Sequence, residues 1–345
     1  MVMVSEIDVF EHLSLRNIED HPLKLFSAAK CEKRPLYISG PMVRYSKLPF
    51  RSLVRIYGVD LAYTPMMVAK EFLFHSNARY CDFSTNLDDR PVVSQFASND
   101  PIILGRAVEI ISNYVDGISL NCGCPQSWVC QEGLGAHLMH DLQNVCEMVK
   151  AVKERCGRQM CVEVKIRIHG DLRKTVDWAQ KVQAAGIDYI VVHGRRRNQR
   201  SSEPVNLNAI KLIKESLNIP VVANGDVFTF SDVNNIAKYT NADGIMSSRG
   251  ILANPALFSG FDTCPWSAIE RFIEYSLSYG LNFHLFKYHI LKMMGKILNK
   301  KESCELSNQM SIAEILDWID ERFILRRPGD SEFGNIHTYQ RKLVI

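Results

Sequence analysis

The stretch CVEVKIRI at residues 161–168 decides how the chain must be built. With the two-residue period of a strand, Val162, Val164, Ile166 and Ile168 share one face, while Glu163, Lys165 and Arg167 share the other. The apolar set is expected to face helices, which puts the charged set inside a barrel, where an unpaired charge costs several kcal/mol. Two arrangements relieve that cost: Glu163 pairs with one of the bases, or an anionic partner sits near the barrel mouth.

Outward from this stretch, similar Val- and Ile-rich runs recur. Strands are predicted at 35–40 (PLYISG), 61–66 (LAYTPM), 92–97 (VVSQFA), 117–122 (GISLNC), 161–168, 189–194 (YIVVHG), 221–225 (VVANG) and 243–247 (DGIMS). The segments between them have helical spacing, as in 141–155, where Leu142, Val145, Cys146 and Val149 follow an i, i+3, i+4, i+7 pattern. Eight alternating units predict a (β/α)₈ TIM barrel, with an open doubly wound sheet as the competing α/β arrangement. From about residue 261 strands give way to helical stripes such as Ile273, Leu277, Leu281, Phe286, Ile290 and Met293. The expected organisation is an N-terminal extension (1–34), the barrel (35–260) and a small all-helical domain (261–345), with 299–309 as a polar loop. Lys292, Lys296 and Lys300 fall at i, i+4, i+8, as either a solvated helix face or a phosphate-contacting stripe.

Composition bounds the function. The 345 residues carry 41 Lys plus Arg against 38 Asp plus Glu, a net charge of +3, so any nucleic-acid surface has to be local. No run approaches 18 apolar residues, which excludes a membrane-spanning helix. Glu6, Asp8, Glu11, Glu19 and Asp20 suit neither a signal peptide nor a transit sequence, so an intracellular protein, cytoplasmic or nuclear, is expected. The ten cysteines are accordingly expected to be reduced.

In a barrel of this kind the chemistry lies at the carboxyl ends of the strands. Those ends carry Ser39-Gly40-Pro41-Met42-Val43, Gln95, Asn121-Cys122-Gly123-Cys124-Pro125, Lys165 and Arg167, His193-Gly194-Arg195, Asn224-Gly225-Asp226 and Ser248-Arg249-Gly250. The last two sets occupy the loops that often bind phosphate in barrels. Cys124 stands in a Gly-Cys-Pro turn, and an ordinary thiol, with a pKa of roughly 8.5, is a ready proton donor at neutral pH. No metal is expected, because Cys122, Cys124, Cys130, His137 and His140 lack a Cys-x-x-Cys pair.

Taken in order, GPMV (40–43), Gln95 in SQFASNDP, NCGCP (121–125), GLGAHLM (133–139), VKIR (164–167), VHGR (192–195), NGD (224–226) and ADGIMSSRG (242–250) resemble the tRNA-dihydrouridine synthases. The resemblance covers roughly 35–300. FHLFKYHILKMMGKI (283–297), within a short helical domain, is most similar to the eukaryotic branch acting on D-loop uridines 20a and 20b. It implies a flavoenzyme in which NADPH reduces FMN and the flavin then passes hydride to C6 of a uracil, with Cys124 donating a proton to C5. Carried over, Pro41, Met42 and Val43 line the flavin, Gln95 bonds its ring edge, and Lys165 and His193 stabilise charge on the reduced ring. Asn224, Gly225, Asp226, Ser248 and Arg249 hold its phosphate. A tRNA uridine flipped into the barrel is expected to meet Asn121, Arg167, Arg195, Arg196, Arg197, Arg200, Lys292 and Lys296.

Two departures stand out. Ser248 replaces a usual glycine, and Cys122 offers a second thiol near Cys124. Two rival readings are an FMN barrel acting on a free pyrimidine or an enone, and a non-catalytic barrel that binds RNA or phosphate.

Overall fold

The computed structural model describes residues 20–342. Nine strands form one parallel sheet: β1 (Leu36–Ser39), β2 (Leu61–Tyr63), β3 (Met67–Val68), β4 (Val92–Ala97), β5 (Gly117–Cys122), β6 (Cys161–Arg167), β7 (Tyr189–His193), β8 (Val221–Asn224) and β9 (Gly244–Ser247). Their order is β2-β1-β9-β8-β7-β6-β5-β4-β3, and β2 also pairs with β4. The sheet therefore closes on itself, which removes the open doubly wound alternative. The chain leaves β2 at Thr64-Pro65 and rejoins at β3, against Phe96 and Ala97 of β4. Nine strands thus make eight staves, the second of them in two pieces because proline has no amide for the ladder.

Period-two alternation sorts the side chains as β6 predicts. Val162, Val164, Ile166 and Ile168 pack outward with Val145, Met148 and Val149 of helix Leu142–Cys156 and Trp178 of helix Leu172–Ala184. Inside lie Leu36, Ile38, Leu61, Tyr63, Val93, Cys161, Tyr189, Val191, Val222 and Met246. Within the expected N-terminal extension, whose first 19 residues lie outside the described residues, helix Pro22–Cys31 joins this inner core through Phe26 and Ala29. The Phe26 ring lies 5.2 Å from that of Tyr189.

The strand starts share a device with a fourfold repeat. Asp60, Asp116, Asp188 and Asp243 each immediately precede a strand, and each accepts the amide of a residue at the start of a neighbouring strand: Tyr37, Val92, Val162 and Val221, at 2.7–2.8 Å. Each also meets one cation, respectively Arg34, Arg90, Lys153 and Lys214, at 2.6–3.0 Å. These clamps fix register at the end of the barrel remote from the chemistry.

Beyond residue 260 the elements are helices Trp266–Ser278, Phe283–Met293, Lys300–Asn308 and Ile312–Arg322. Trp266, Ile269, Phe272, Phe286 and Ile315 belong to one continuous core with the outer face of the barrel. The stretch expected as a polar loop is the helix Lys300–Asn308, opened by a reciprocal cap between Asn299 and Glu302. Nor do the three lysines share one helix face. Helix Phe283–Met293 ends in a 3₁₀ turn, Met294–Lys296, and Lys300 begins the next helix. Among the described residues, no helix is long and apolar enough to cross a membrane.

Candidate active site

The strand ends enclose a cavity of about 170 Å³ lined by Pro41, Lys165, His193, Asn224, Gly225, Asp226, Ser248 and Arg249, among others. Lys165 reaches it from the inner face of β6. Its Nζ donates to Asn224 Oδ1 at 2.8 Å, and Asn224 Nδ2 donates to the Met246 carbonyl at 3.0 Å. Neither Lys165 nor Arg167 forms an ion pair with Glu163 among the described residues, so the salt-bridge reading of β6 fails. Glu163 Oε2 instead accepts from Tyr63 Oη at 3.3 Å, Tyr63 and Tyr189 share a 2.6 Å hydrogen bond, and Glu163 Oε1 has no partner. Burial pushes the Glu163 carboxyl up and the Lys165 ammonium down, and each opposes the other's shift through its charge. Lys165 is left with a neutral partner, which suits the site to an anionic group.

Burial, together with the cations Lys165, Arg167, Arg195 and Arg249, pushes His193 down to about 2, so its imidazole is neutral. Arg195 Nη1 lies 3.2 Å from His193 Nε2. A guanidinium only donates, so Nε2 accepts and the ring proton sits on Nδ1. Arg195 itself is buried, paired with Asp226 and bonded to the Glu203 carbonyl at 2.7 Å. That removes it from the expected RNA contacts. Asp226 also meets Arg249 at 3.2 Å and accepts the Val205 amide at 3.2 Å. A carboxylate so committed repels a phosphate, leaving Asp226 only its backbone for that part. Gly225 has φ +123°, and a Cβ there would come within 2.8 Å of Val205 and 3.0 Å of His193.

Ser248 Oγ occupies space that Gly40 leaves open, since a Cβ on Gly40 would lie 2.5 Å from it. The serine substitution is therefore accommodated across the cavity by the β1 loop. Pro41 lines the cavity, Met42 is half-buried and Val43 is exposed, with Ser46 Oγ accepting the Met42 amide at 3.0 Å.

A second set of contacts runs from β4 to the Cys124 turn. Gln95 Nε2 donates to Ser119 Oγ at 2.9 Å, and Asn121 Nδ2 donates to Gln95 Oε1 at 2.8 Å. Asn121 Oδ1 accepts the amides of Gly123 (3.0 Å) and Cys124 (2.8 Å). This gives Asn121 a positioning part. Arg167 fastens the same turn, donating from Nε to Gly123 O and from Nη1 to Arg196 O, both at 2.9 Å. Gly135, with φ +60°, packs so closely on the turn that a Cβ would lie 2.7 Å from Cys124 O. Cys124 is half-buried; burial raises its thiol pKa, while the charges of Arg167 and Lys165 lower it. Cys122 points outward into the helix layer, fully buried, and is pushed well above its ordinary value. It cannot stand in for Cys124.

Arg196, Arg197 and Arg200 are exposed on the turn after β7. Lys292 is exposed over the Tyr288 ring at 5.3 Å, and Tyr288 stacks at 4.2 Å on Tyr45, two residues beyond Val43. Lys296 donates to the Asp262 carbonyl at 3.3 Å. Sequence reading missed Ser119 and Gly135. Ser119 lies two residues before Asn121 on the same inner face of β5, and that parity could have found it.

The model of the family described as dihydrouridine synthase (Dus) matches residues 37–329. The chain is 51% identical over 313 residues to a Schizosaccharomyces pombe protein named tRNA-dihydrouridine(20a/20b) synthase [NAD(P)+], covering 91% of this chain and 95% of that one. Identity to the Saccharomyces cerevisiae protein of the same name is 44%, over 92% and 88% of the two chains. A human protein named tRNA-dihydrouridine(20a/20b) synthase [NAD(P)+]-like is 41% identical, over 88% and 94%. A family match across most of the barrel and the following helices, joined to relatives of this similarity and coverage, means that the chain belongs to the dihydrouridine synthase family.

Proposed function

We propose that the chain is an FMN- and NADPH-dependent tRNA-dihydrouridine synthase that reduces the uracil 5,6 double bond of D-loop uridines, at the 20a and 20b positions named for its relatives. When bound, FMN supplies the hydride for C6 of the uracil after reduction by the nicotinamide. The observation that carries this reading is the Lys165 ammonium, which faces the strand-end cavity with Asn224 as its hydrogen-bond acceptor. Lys165, with Nδ1–H of the neutral His193 beside it, suits an electron-rich ring edge. Arg249 and the backbone of Gly225, Asp226 and Ser248 suit a phosphate at the other end of the cavity.

Cys124 Sγ carries the proton that goes to C5. Its raised pKa keeps the thiol protonated, and Asn121 and Arg167 hold its turn so that the proton is aimed rather than freely exchanged. A tRNA uridine reaches this point only by leaving its stack. The exposed Arg196, Arg197 and Arg200, and Lys292 beside Tyr288, suit the surrounding phosphates.

The test begins with the absorbance of protein purified with FMN added. Reduced enzyme is then incubated with unmodified tRNA or with free pyrimidine, and products are weighed for two added hydrogens. Gain of two hydrogens in tRNA alone is the expected result. Gain in the free pyrimidine alone would select a small-molecule reductase, and absent flavin would leave a binding barrel.

A further inference from the structure

The loop after β1 carries Pro41, which lines the strand-end cavity, with Met42 and Val43 next to it. Both ends of this loop are fastened to the barrel. Gly40 donates its amide to Ser247 O of β9 at 2.9 Å. At the other end Ser46 Oγ accepts the Met42 amide at 3.0 Å, and the Ser46 carbonyl accepts from Arg51 Nη1 at 2.7 Å. Arg51 is itself fixed, since it is buried together with Asp89 and paired with it at 2.6 Å. Between these anchors Arg44 has φ +69°, a conformation that residues other than glycine rarely adopt unless their surroundings hold them there.

The middle of the loop is held from the far end of the chain. Helix Phe283–Met293 brings two consecutive residues against Tyr45. The Tyr288 ring stacks on that of Tyr45 at 4.2 Å and 13°, and His289 Nε2 donates to the Tyr45 carbonyl at 3.1 Å. Packing alone is a poor reason for a histidine here. His289 is buried among Phe50, Phe272 and Tyr45 with no hydrogen bond at Nδ1, whereas an apolar side chain would fill the place without burying a bare acceptor. The polar contact that His289 does make is the one to the loop.

We infer that Tyr288 and His289 are positioning residues for the flavin: acting through Tyr45, helix Phe283–Met293 holds loop 40–46 in the shape that lines the cofactor. The inference rests on the proposed function for the identity of that cofactor. It gives the helical domain a part in the chemistry that requires no RNA.

The test accordingly reads FMN binding in the absence of tRNA. Tyr288→Leu removes the stacked ring, Tyr288→Phe keeps it, and His289→Leu removes the bond while filling the space. Each is compared with wild type well below its melting temperature, with FMN affinity taken from the quenching of flavin fluorescence. The dissociation constant should rise about three- to tenfold in both leucine variants, the scale of one aromatic pair or one hydrogen bond, and less than about twofold in Tyr288→Phe. In a Tyr45→Leu background, Tyr288→Leu should add less than about twofold, because the residue through which it acts is gone. Unchanged FMN affinity in both leucine variants would overturn the inference even where melting or tRNA binding falls, and so would an undiminished effect of Tyr288→Leu without Tyr45. Wild-type protein that takes up no FMN would refute the proposed function instead; trypsin cleavage after Arg44 in the flavin-free proteins then decides whether the helix holds the loop. Faster cleavage in the leucine variants supports that hold, and equal rates sink it.

Discussion

Lys165 Nζ donates to Asn224 Oδ1 at 2.8 Å, and this hydrogen bond joins β6 to β8 across the inside of the barrel. An amide is a weak counterpart for a buried ammonium. The pair therefore behaves as a preorganised anion site rather than a stabilising contact.

Lys165→Met should consequently leave the flavin-free protein as stable as wild type or more so, because an apolar chain of similar length replaces a charge with no carboxylate partner. Its FMN affinity should fall by about tenfold or more. Thermal melting without FMN and fluorescence titration with FMN measure the two effects. A melting temperature that drops sharply would show that Lys165 is part of the structural core.

The two neighbouring thiols should separate cleanly. Cys124→Ala is expected to keep flavin and tRNA binding but lose about 10²-fold or more in turnover, the scale of one general acid. Cys122→Ala should retain turnover and lose about 1 kcal/mol of stability through the void it leaves in the helix layer. Asn121→Ala should lower turnover while thiol alkylation of Cys124 becomes faster, as its turn loosens. Single-turnover reduction of tRNA and iodoacetamide labelling read these outcomes.

Charge removal on the turn after β7 should divide by position. Neutralising Arg196, Arg197 and Arg200 together should weaken tRNA binding and flatten its dependence on salt, with little effect on melting. Arg195→Met should instead cost about 3 kcal/mol, because it breaks a largely buried pair with Asp226 and frees His193 Nε2. Equal salt slopes for wild type and the triple variant would remove this turn from the RNA surface.

Acid stability should depend on His289, which is buried between Phe50 and Phe272 with Nε2 bonded to the Tyr45 carbonyl at 3.1 Å. Burial pushes it down to about 3, against 6.5 in an open chain. Below pH 6.5 the unfolded chain binds a proton that the folded one refuses, so this stability is complete above 6.5 and declines as pH falls toward 3. Between pH 7 and 5 the loss is about 2 kcal/mol. His289→Gln, able to keep the bond to Tyr45, should show a shallower fall in denaturant midpoint across that interval; parallel curves would refute the assignment.

Much of this was legible along the chain because strands and barrel helices declare themselves by period. The alternation in 161–168 specified which side chains face inward, and the strand-end residues followed from it. Short-range cues mark two further helices. Asn299 and Glu302 form a capping box spaced three residues apart in a stretch that is otherwise short and polar, and Pro22 opens a short helix whose Phe26 and Ala29 acquire their inward face only by packing on the barrel.

Distance in sequence hid the rest. Residue types and local period are properties of the chain alone, so they determined the barrel, the inward charges of β6 and the Gly-Cys-Pro turn. Partners on different strands are not local: Arg195 becomes a buried structural cation only because the parallel pairing of β7 with β8 brings Asp226, 31 residues away, against it. The same holds for the two thiols. Strand parity turns Cys122 outward, but the chain leaves β5 after it, and only the packing of Asn121, Arg167 and Gly135 decides where Cys124 lies. Tertiary structure settled which charges are spent on one another and which remain for a ligand, because desolvation and pairing depend on neighbours that only folding supplies.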